Sequence, residues 1–345
     1  VNITLLEHLR AALGEFVPIS TLAWAVGATE EQAQDELREL ERFGFRFEHH
    51  PYRGVAYRGP ATRLCPDQIE HELHTRWVGR RVAVWNRVAS TNDLANRASG
   101  SLANEGLVVL AEEQTAGRGR RGRQWFAPPG TSLLMSVLLF PRGKLGDVAW
   151  LTALGAVAVA EVVAERTGLE TRIKWPNDVR VSGRKIAGIL VERGEGAVIG
   201  IGLNVNGAEA ELPAELRDLA ASLRILTGES FDRSELARGL IQRLDHWYHR
   251  GLEEGPDSLS PSWSAHSEHL GRWVQVDTPA GPREGRLTEL NLTQGLTLAT
   301  GRNEKERLRL ATHAVLSLVH LPEPTEARQF VEESFPFEDS PSQGG

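Results

Sequence analysis

The hydrophobic period changes twice along these 345 residues, and those changes limit the fold more than any single residue does. Over residues 1–58 the period is helical. Leu5, Leu6, Leu9 and Leu13 fall on one face, and Gly14 is a stop. A second, short helix is expected over 19–26, ended by Gly27. Thr29 and Gln32 have the spacing of a capping box for a third helix, with Ala33, Leu37 and Leu40 inside and Gly44 past its end. Residues 45–48 and 55–57 then alternate as two strands around Pro51-Tyr52-Arg53-Gly54. Three helices and a two-stranded wing predict a winged helix-turn-helix over 1–58.

Gly59, Pro60 and Pro66 mark residues 59–67 as a linker. From 68 to 268 the pattern is mixed. Strands are expected at 82–88, 107–112, 132–140, 184–192 and 197–203, with helices at 92–99, 147–166 and 232–252. They interleave without a regular βαβ repeat, so the chain as a whole reads as an α+β multidomain protein. Between 269 and 320 the strands become short and close together (274–277, 284–290, 296–299, 306–311, 315–318), the pattern of a small β-barrel. Residues 321–345 are rich in Pro, Glu and Ser and read as a disordered tail.

Composition excludes several classes. The net charge of −7 gives no global field toward DNA or an anionic membrane, so any nucleic-acid contact has to be a local patch. Cys65 is the only cysteine, which excludes an intrachain disulfide and a thiolate metal cage, and fits a cytoplasmic protein. No signal peptide is read. The longest apolar stretch, around 148–163, carries Glu161 and reads as a buried core helix rather than a membrane span.

Chemistry concentrates in five segments. Gly117-Arg118-Gly119-Arg120-Arg121-Gly122-Arg123-Gln124-Trp125 places four arginines and three glycines in seven residues before a tryptophan. Glycine lets backbone approach a ligand, arginine grips phosphate or carboxylate, and the indole offers a stacking face. A solvated basic turn would look the same in isolation. Ser90-Thr91-Asn92-Asp93 lies where a strand meets a helix and reads as an N-cap or as a small polar ligand site, with Gln114 following the next strand. Lys174-Trp175-Pro176-Asn177-Asp178 combines a cation, a rigid turn, an amide and a carboxylate, fitting phosphates and Mg²⁺ or merely a turn between strands. Residues 183–192 put Lys185 at the head of a buried strand. Residues 200–206, Gly-Ile-Gly-Leu-Asn-Val-Asn, read as a strand whose glycines permit close approach and whose Asn204 needs a partner. The histidine pairs His49-His50 and His246…His249 read as surface residues rather than metal ligands.

In this order, S-T-N, Q-x-A-G-R-G-R-R-G-R-x-W, K-W-P-N-D, R-K-I-A-G-I-L-V-E and G-I-G-L-N-V-N resemble the motifs of the biotin–protein ligases. The resemblance spans about residues 3–320 and is strongest over 84–206. With the N-terminal winged helix it points to the bifunctional class that also represses biotin operons. It implies a central catalytic domain of the biotin/lipoate ligase type and a C-terminal SH3-like barrel. It also implies biotin and ATP as substrates, Mg²⁺, a biotinyl-5′-AMP intermediate, and transfer to a lysine of the biotin carboxyl carrier protein of acetyl-CoA carboxylase. Homodimerisation and operator DNA are implied as further partners, and no membrane.

Carried onto this chain, the resemblance assigns Ser90, Thr91, Asn92 and Gln114 to the ureido head of biotin. Arg118, Gly119, Arg120 and Lys185 fall to biotin and its adenylate. Arg121, Arg123, Trp125, Lys174, Asn177 and Asn204 fall to the nucleotide, and Asp178 to the metal. Arg118, Arg120, Lys185 and Lys174 are the expected catalytic cations, because both reactants are anions. No nucleophilic side chain is needed. The loop over 115–127 is expected to be mobile without ligand and ordered over the adenylate.

The DNA expectation meets a departure. The third helix carries six acidic residues against two arginines, and residues 1–63 hold seven arginines against nine acidic residues, a net of −2. Gln32 and Gln34 remain as base readers, with Arg53 on the wing for phosphate. Two other readings stand beside the ligase: a biotin-sensing transcription factor without transfer activity, and a lipoate-type ligase. The intact arginine loop and both lysines oppose the first. The arginine loop and the S-T-N segment oppose the second.

Overall fold

Helices α1 (Ile3–Ala11), α2 (Ile19–Ala25) and α3 (Glu30–Arg42) precede a hairpin of β1 (Arg46–His50) and β2 (Gly54–Gly59). In this computed structural model, which describes residues 1–301 and 304–323, they belong to the first of two units, Val1–His266; the second begins at Ser267. The expected capping box is formed: Gln32 N–H donates to Thr29 Oγ1 at 3.2 Å, and Thr29 N–H to Gln32 Oε1 at 2.9 Å. Leu5, Leu6, Leu9, Leu22, Leu37 and Leu40 make a small core with Phe45 and Val55. Leu13, expected on the same face as Leu5 and Leu9, is 91% exposed. Helix α1 ends at Ala11, two residues before it, so the helical period no longer aims Leu13 inward.

The stretch expected as a linker is largely packed. Ala61, Leu64 and Cys65 are buried, and α4 (Pro66–Glu70) starts inside it. Gly59, Pro60 and Pro66 mark breaks in regular structure, and such breaks do not require exposure.

A seven-stranded sheet follows. Its strands are β3 (Arg81–Val88), β4 (Leu107–Gln114), β5 (Ser132–Leu139), β6 (Thr171–Lys174), β7 (Asp178–Val181), β8 (Arg184–Arg193) and β9 (Ala197–Asn204). Helix α5 (Thr91–Arg97) joins β3 to β4, and α6 (Val148–Thr167) joins β5 to β6. The order is β3-β4-β5-β9-β8-β7-β6, with β3–β4 parallel and the remaining pairs antiparallel. A mixed sheet of this kind agrees with the irregular strand–helix alternation. After the sheet come α7 (Leu223–Thr227), α8 (Arg233–Glu254) and α9 (Ser260–His266).

Helix α6 is long and apolar enough to span a membrane, yet most of it is buried between the sheet and α8. Gly168, in the left-handed region at φ 69°, ends it. Strand alternation fixes the two faces of the sheet. Gly155 of α6 lies against Ile189 and Ile199, so Ile199, Ile201 and Leu203 point toward α6. Gly188, Gly200 and Gly202 point to the opposite face, where Asn92 and Trp125 lie.

The second unit, from Ser267, is an all-antiparallel sheet of β10 (Trp273–Thr278), β11 (Gly281–Asn291), β12 (Gly295–Thr300), β13 (Glu306–Leu310) and β14 (Ser317–His320), in the order β13-β12-β11-β10-β14. The tail expected from residue 321 lies, beyond Glu323, outside the described residues.

Arg10 of α1 is half-buried under the Phe45 and Tyr57 rings and reaches α8, with Nη1 donating to Glu235 at 3.0 Å and Nη2 pairing with Asp232 at 2.5 Å. Gln68 of α4 donates to both carboxylates, at 2.9 and 2.8 Å. Burial raises the pKa of Glu235, but the Gln68 hydrogen bond and the Arg238 and Arg10 charges outweigh it, so the net shift is downward. A depressed folded pKa gives stability that is present above the unfolded value of 4.5 and lost as pH falls through the folded value. Acid below that value is therefore expected to loosen α1 from α8 before the sheet melts. Amide exchange at the end of α1, followed from pH 6 downward, checks this. Arg10→Met should flatten the pH dependence and cost about 1–3 kcal/mol.

Candidate active site

The sheet face opposite α6 has a glycine floor. Gly188 of β8 and Gly202 of β9 are register partners, and the Trp125 indole lies on them. A Cβ at Gly202 would stand 2.5 Å from the indole, and one at Gly200 would stand 2.3 Å from Asn92 Oδ1. Only glycine leaves room for these side chains to lie flat on the strands. Above the floor is a cleft of about 490 Å³, counting the space open to solvent. Its walls include Ser90, Thr91, Asn92, Gln114, Arg118, Gly119, Arg120, Trp125, Asn177, Lys185 and Leu190, and the strands that carry Met135, Ile189 and Ile201 run beneath it with those side chains turned toward α6.

One end is polar and fixed. Thr91 donates to Gln114 Oε1 from its amide (2.7 Å) and its hydroxyl (3.0 Å). The Ser136 hydroxyl donates to Asn92 Oδ1 at 2.6 Å, and Asn92 Nδ2 donates to Glu192 Oε2 at 2.9 Å. Thr91, Asn92 and Ser136 are all buried. Ser90 is the N-cap residue of α5, but its side chain makes no capping bond, so the simple capping explanation of this segment fails.

The arginine loop is folded on itself. Gly119 N–H donates to Arg123 O at 2.7 Å, Trp125 N–H to Gly117 O at 3.0 Å, and Arg121 sits at φ 58°. Arg118 bridges Asp93 (2.6 Å) and Glu192 (3.2 Å). The hydrogen bond to Asp93 is the main cause that holds the Arg118 pKa up, and the same bond holds the Asp93 carboxyl down. Arg120 is different. It donates to Asn177 Oδ1 at 3.1 Å, and burial, then Arg121, push its pKa below the ordinary value. Its guanidinium stays open to solvent and has no carboxylate bridge, so it can meet an incoming anion.

Lys185 pairs with Asp178 at 2.7 Å and stands 5.4 Å from the Trp125 ring centroid. Asp178, expected as a metal ligand, is thus paired with a lysine. Asn177 Nδ2 donates to Ile189 O at 3.1 Å, and the Trp175–Pro176 peptide in the same turn is cis. Asn204 finds the partner it needed, donating to Ala221 O at 3.1 Å. Lys174, Asp178, Arg121, Arg123 and Asn204 stand outside the cleft walls. Trp125, expected toward the nucleotide, lies on the sheet with its buried indole N–H lacking a partner. The glycine floor is what admits it.

Sequence reasoning missed the roles of Asp93, Glu192 and Ser136. A lone hydroxyl inside the apolar run Leu133-Leu134-Met135-Ser136-Val137-Leu138 was the available signal, since a buried hydroxyl needs partners.

Within residues 1–58, the expected DNA readers are partly engaged. Gln32 is used in its cap, Arg53 lies 4.2 Å over the Phe16 ring, and Gln34 is exposed. His49 is hydrogen-bonded to Glu41, and Arg58 to Glu48.

Residues 84–206 match the biotin/lipoate A/B protein ligase family. The chain is 30% identical over 308 residues to the bifunctional ligase/repressor BirA of Bacillus subtilis, covering 88% of this chain and 95% of that protein. It is 35% identical over 234 residues to the biotin--[acetyl-CoA-carboxylase] ligase of Mycobacterium tuberculosis, covering 64% and 85%. Among solved structures, the biotin protein ligase of Aquifex aeolicus in complex with biotin and ATP superposes with a TM-score of 0.61 at 27% identity, over 70% of this chain and 100% of that one.

Proposed function

This chain belongs to the biotin–protein ligase family, and we propose that its cleft joins biotin to ATP and passes the biotinyl group to a lysine of a biotin carboxyl carrier protein. The observation that carries this reading is the cleft itself. It has a pinned polar end at Thr91, Asn92 and Gln114, an apolar middle on a glycine floor, and a cationic end at Arg120 and Lys185. That sequence of surfaces fits a molecule with a polar head, an apolar body and a carboxylate tail.

In the first step a biotin carboxylate oxygen bonds to the α-phosphorus of ATP, the bond from that phosphorus to the bridging oxygen breaks, and pyrophosphate leaves. In the second the acceptor amine attacks the mixed anhydride, AMP leaves, and the ammonium proton is lost. Arg120 and Lys185 neutralise the two anions that meet, and positioning by Ser90, Thr91, Asn92 and Gln114 supplies the rest. Gly119 brings loop backbone to the adenylate, while Arg118 holds the loop against Asp93 and Glu192. Arg121, Arg123, Lys174 and Asn204 serve the nucleotide at the rim, and Asn177 orients Arg120. Trp125 leaves the glycine floor to pack beside the bound intermediate. Asp178 fits as a single protein carboxylate for a Mg²⁺ that arrives on the ATP phosphates, where the ion would neutralise charge. The reaction is placed in the cytoplasm.

Incubation with biotin, ATP and Mg²⁺ should yield biotinyl-AMP, detected by mass spectrometry, with biotin outcompeting lipoate; adenylation of lipoate instead would overturn the biotin reading. Tryptic cleavage within 118–123 should slow once the adenylate forms. Equal cleavage with and without ligand would remove the loop from the mechanism.

A second role is favoured by one observation: the Bacillus subtilis relative named as a repressor is matched over 95% of its length. We propose that residues 1–58 are a winged helix that reads operator DNA as part of a homodimer through Gln34, Gln32 and Arg53, and that the C-terminal sheet is an SH3-like barrel. The acidic face of α3 makes phosphate contacts few, so the salt dependence should be shallow. Selection of genomic duplexes at physiological salt should enrich a two-fold site only when biotinyl-AMP is present. No enrichment, with adenylate formed in the same tube, would leave the ligase alone.

A further inference from the structure

We propose that the C-terminal unit binds one divalent cation of the zinc class through Glu268, His269 and His320. Among the described residues these form the only group of three potential metal-ligating side chains, with their donor atoms within 4.8 Å of one another. His269 lies just before β10 and is 1% exposed. His320 is the last residue of β14, paired across the ladder with Val274 of β10. The two imidazoles meet edge to face, centroids 4.5 Å apart at 74°. Glu268 Oε1 stands 3.7 Å from His269 Nε2.

Two imidazoles and a carboxylate are the donor set of a borderline ion, better suited to zinc than to calcium or magnesium, which take oxygen shells. Metal–donor bonds of about 2.0–2.1 Å put tetrahedral donors roughly 3.4 Å apart. Donors up to 4.8 Å apart therefore have to close by up to about 1.4 Å, which rotation of the exposed His320 ring and the Glu268 chain supplies. The buried His269 ring is the fixed point. Water completes the fourth position. None of these residues belongs to the cleft, so the role is structural. The cation would clip the segment where the unit begins to the strand where its sheet ends.

Backbone bonds already run close by. Leu321 N–H donates to Trp273 O at 2.9 Å, next to the Val274–His320 pair of the β10–β14 ladder. A metal bond from residue 269 to residue 320 would fasten the same seam through side chains. It would raise the free energy needed to strip β14 from β10.

The test uses the full chain, freed of metal with chelator, titrated calorimetrically with Zn²⁺ and by absorption with Co²⁺. One ion per chain with a Kd of about 1 μM or tighter is expected, with thermal unfolding shifted upward. His320→Ala removes an exposed ligand at a strand end and should fold normally without metal, yet bind Zn²⁺ at least about 10–100-fold more weakly. Glu268→Gln should weaken binding in the same direction, and Co²⁺ should give the intense visible bands of a tetrahedral site only in the unsubstituted chain. His249→Ala should change none of these. Absence of saturable one-to-one binding would overturn the proposal, and so would stoichiometric binding that survives both His320→Ala and Glu268→Gln.

Discussion

Replacing Lys185 by methionine is expected to slow biotinyl-AMP formation by about 10²–10³-fold while leaving the chain folded. Two anions have to meet in the cleft, and Lys185 is one of two cations in its wall not bridged between two carboxylates; Arg120 is the other. Methionine keeps most of the aliphatic stem against Trp125 and removes the charge. Asp178, partly exposed, loses its partner but keeps access to water, so the stability cost is small. Pyrophosphate release under single-turnover conditions, compared with the urea midpoint of the same variant, checks both halves. A rate within threefold of the parent would exclude Lys185 from the chemistry. Lys185→Arg should retain part of the rate, because the charge remains while its geometry changes.

The second large effect is on stability. Arg233→Met is expected to cost about 3 kcal/mol, because it removes a buried guanidinium and leaves a half-buried carboxylate unpaired. Arg233 opens α8, is 2% exposed, and pairs with Glu112 of β4 at 2.7 Å. It also donates to Ser132 O of β5 at 3.2 Å and to Thr62 O at 2.7 Å. Glu112 in turn accepts from Leu64 N–H at 2.6 Å. One guanidinium thus fastens the 62–64 segment, two central strands and a helix. A cation at a helix N-terminus opposes the dipole, so the pairing with Glu112 has to outweigh that term. Glu112→Gln combined with Arg233→Met should recover part of the loss, since no unpaired carboxylate is then left against the 62–64 segment. Chemical denaturation of the single and double variants decides it. A single-variant cost under 1 kcal/mol would show that the ion pair is not what fastens these segments.

Much of the site was legible because its chemistry is carried on contiguous residues. Ser90–Asn92, Arg118–Arg120, Asn177 and Lys185 each advertise themselves within a few positions, and the structure gathers them around one cleft, while Arg121 and Arg123 of the same loop stand outside its walls. What remained hidden depends on pairs far apart in the chain. Nothing local says that Arg118 will bridge Asp93 and Glu192, that Ser136 will hold Asn92, or that Arg10 will reach Asp232 and Glu235. The short strands β6 and β7 escaped for a related reason. Four residues each are too few for an alternation to stand out from a turn.

Local order came from the sequence alone. The Thr29–Gln32 cap, the glycine stops, the buried apolar helix α6 and the alternation of glycine with isoleucine in β9 follow from the covalent chain, because propensity and period act over a few residues. The tertiary structure decided which face of β9 met α6 and which became the floor of the cleft. It also decided which arginine of the loop was bridged to carboxylates and which faced the opening. Those outcomes rest on strand register and on electrostatics between distant residues, and neither exists until the sheet has formed.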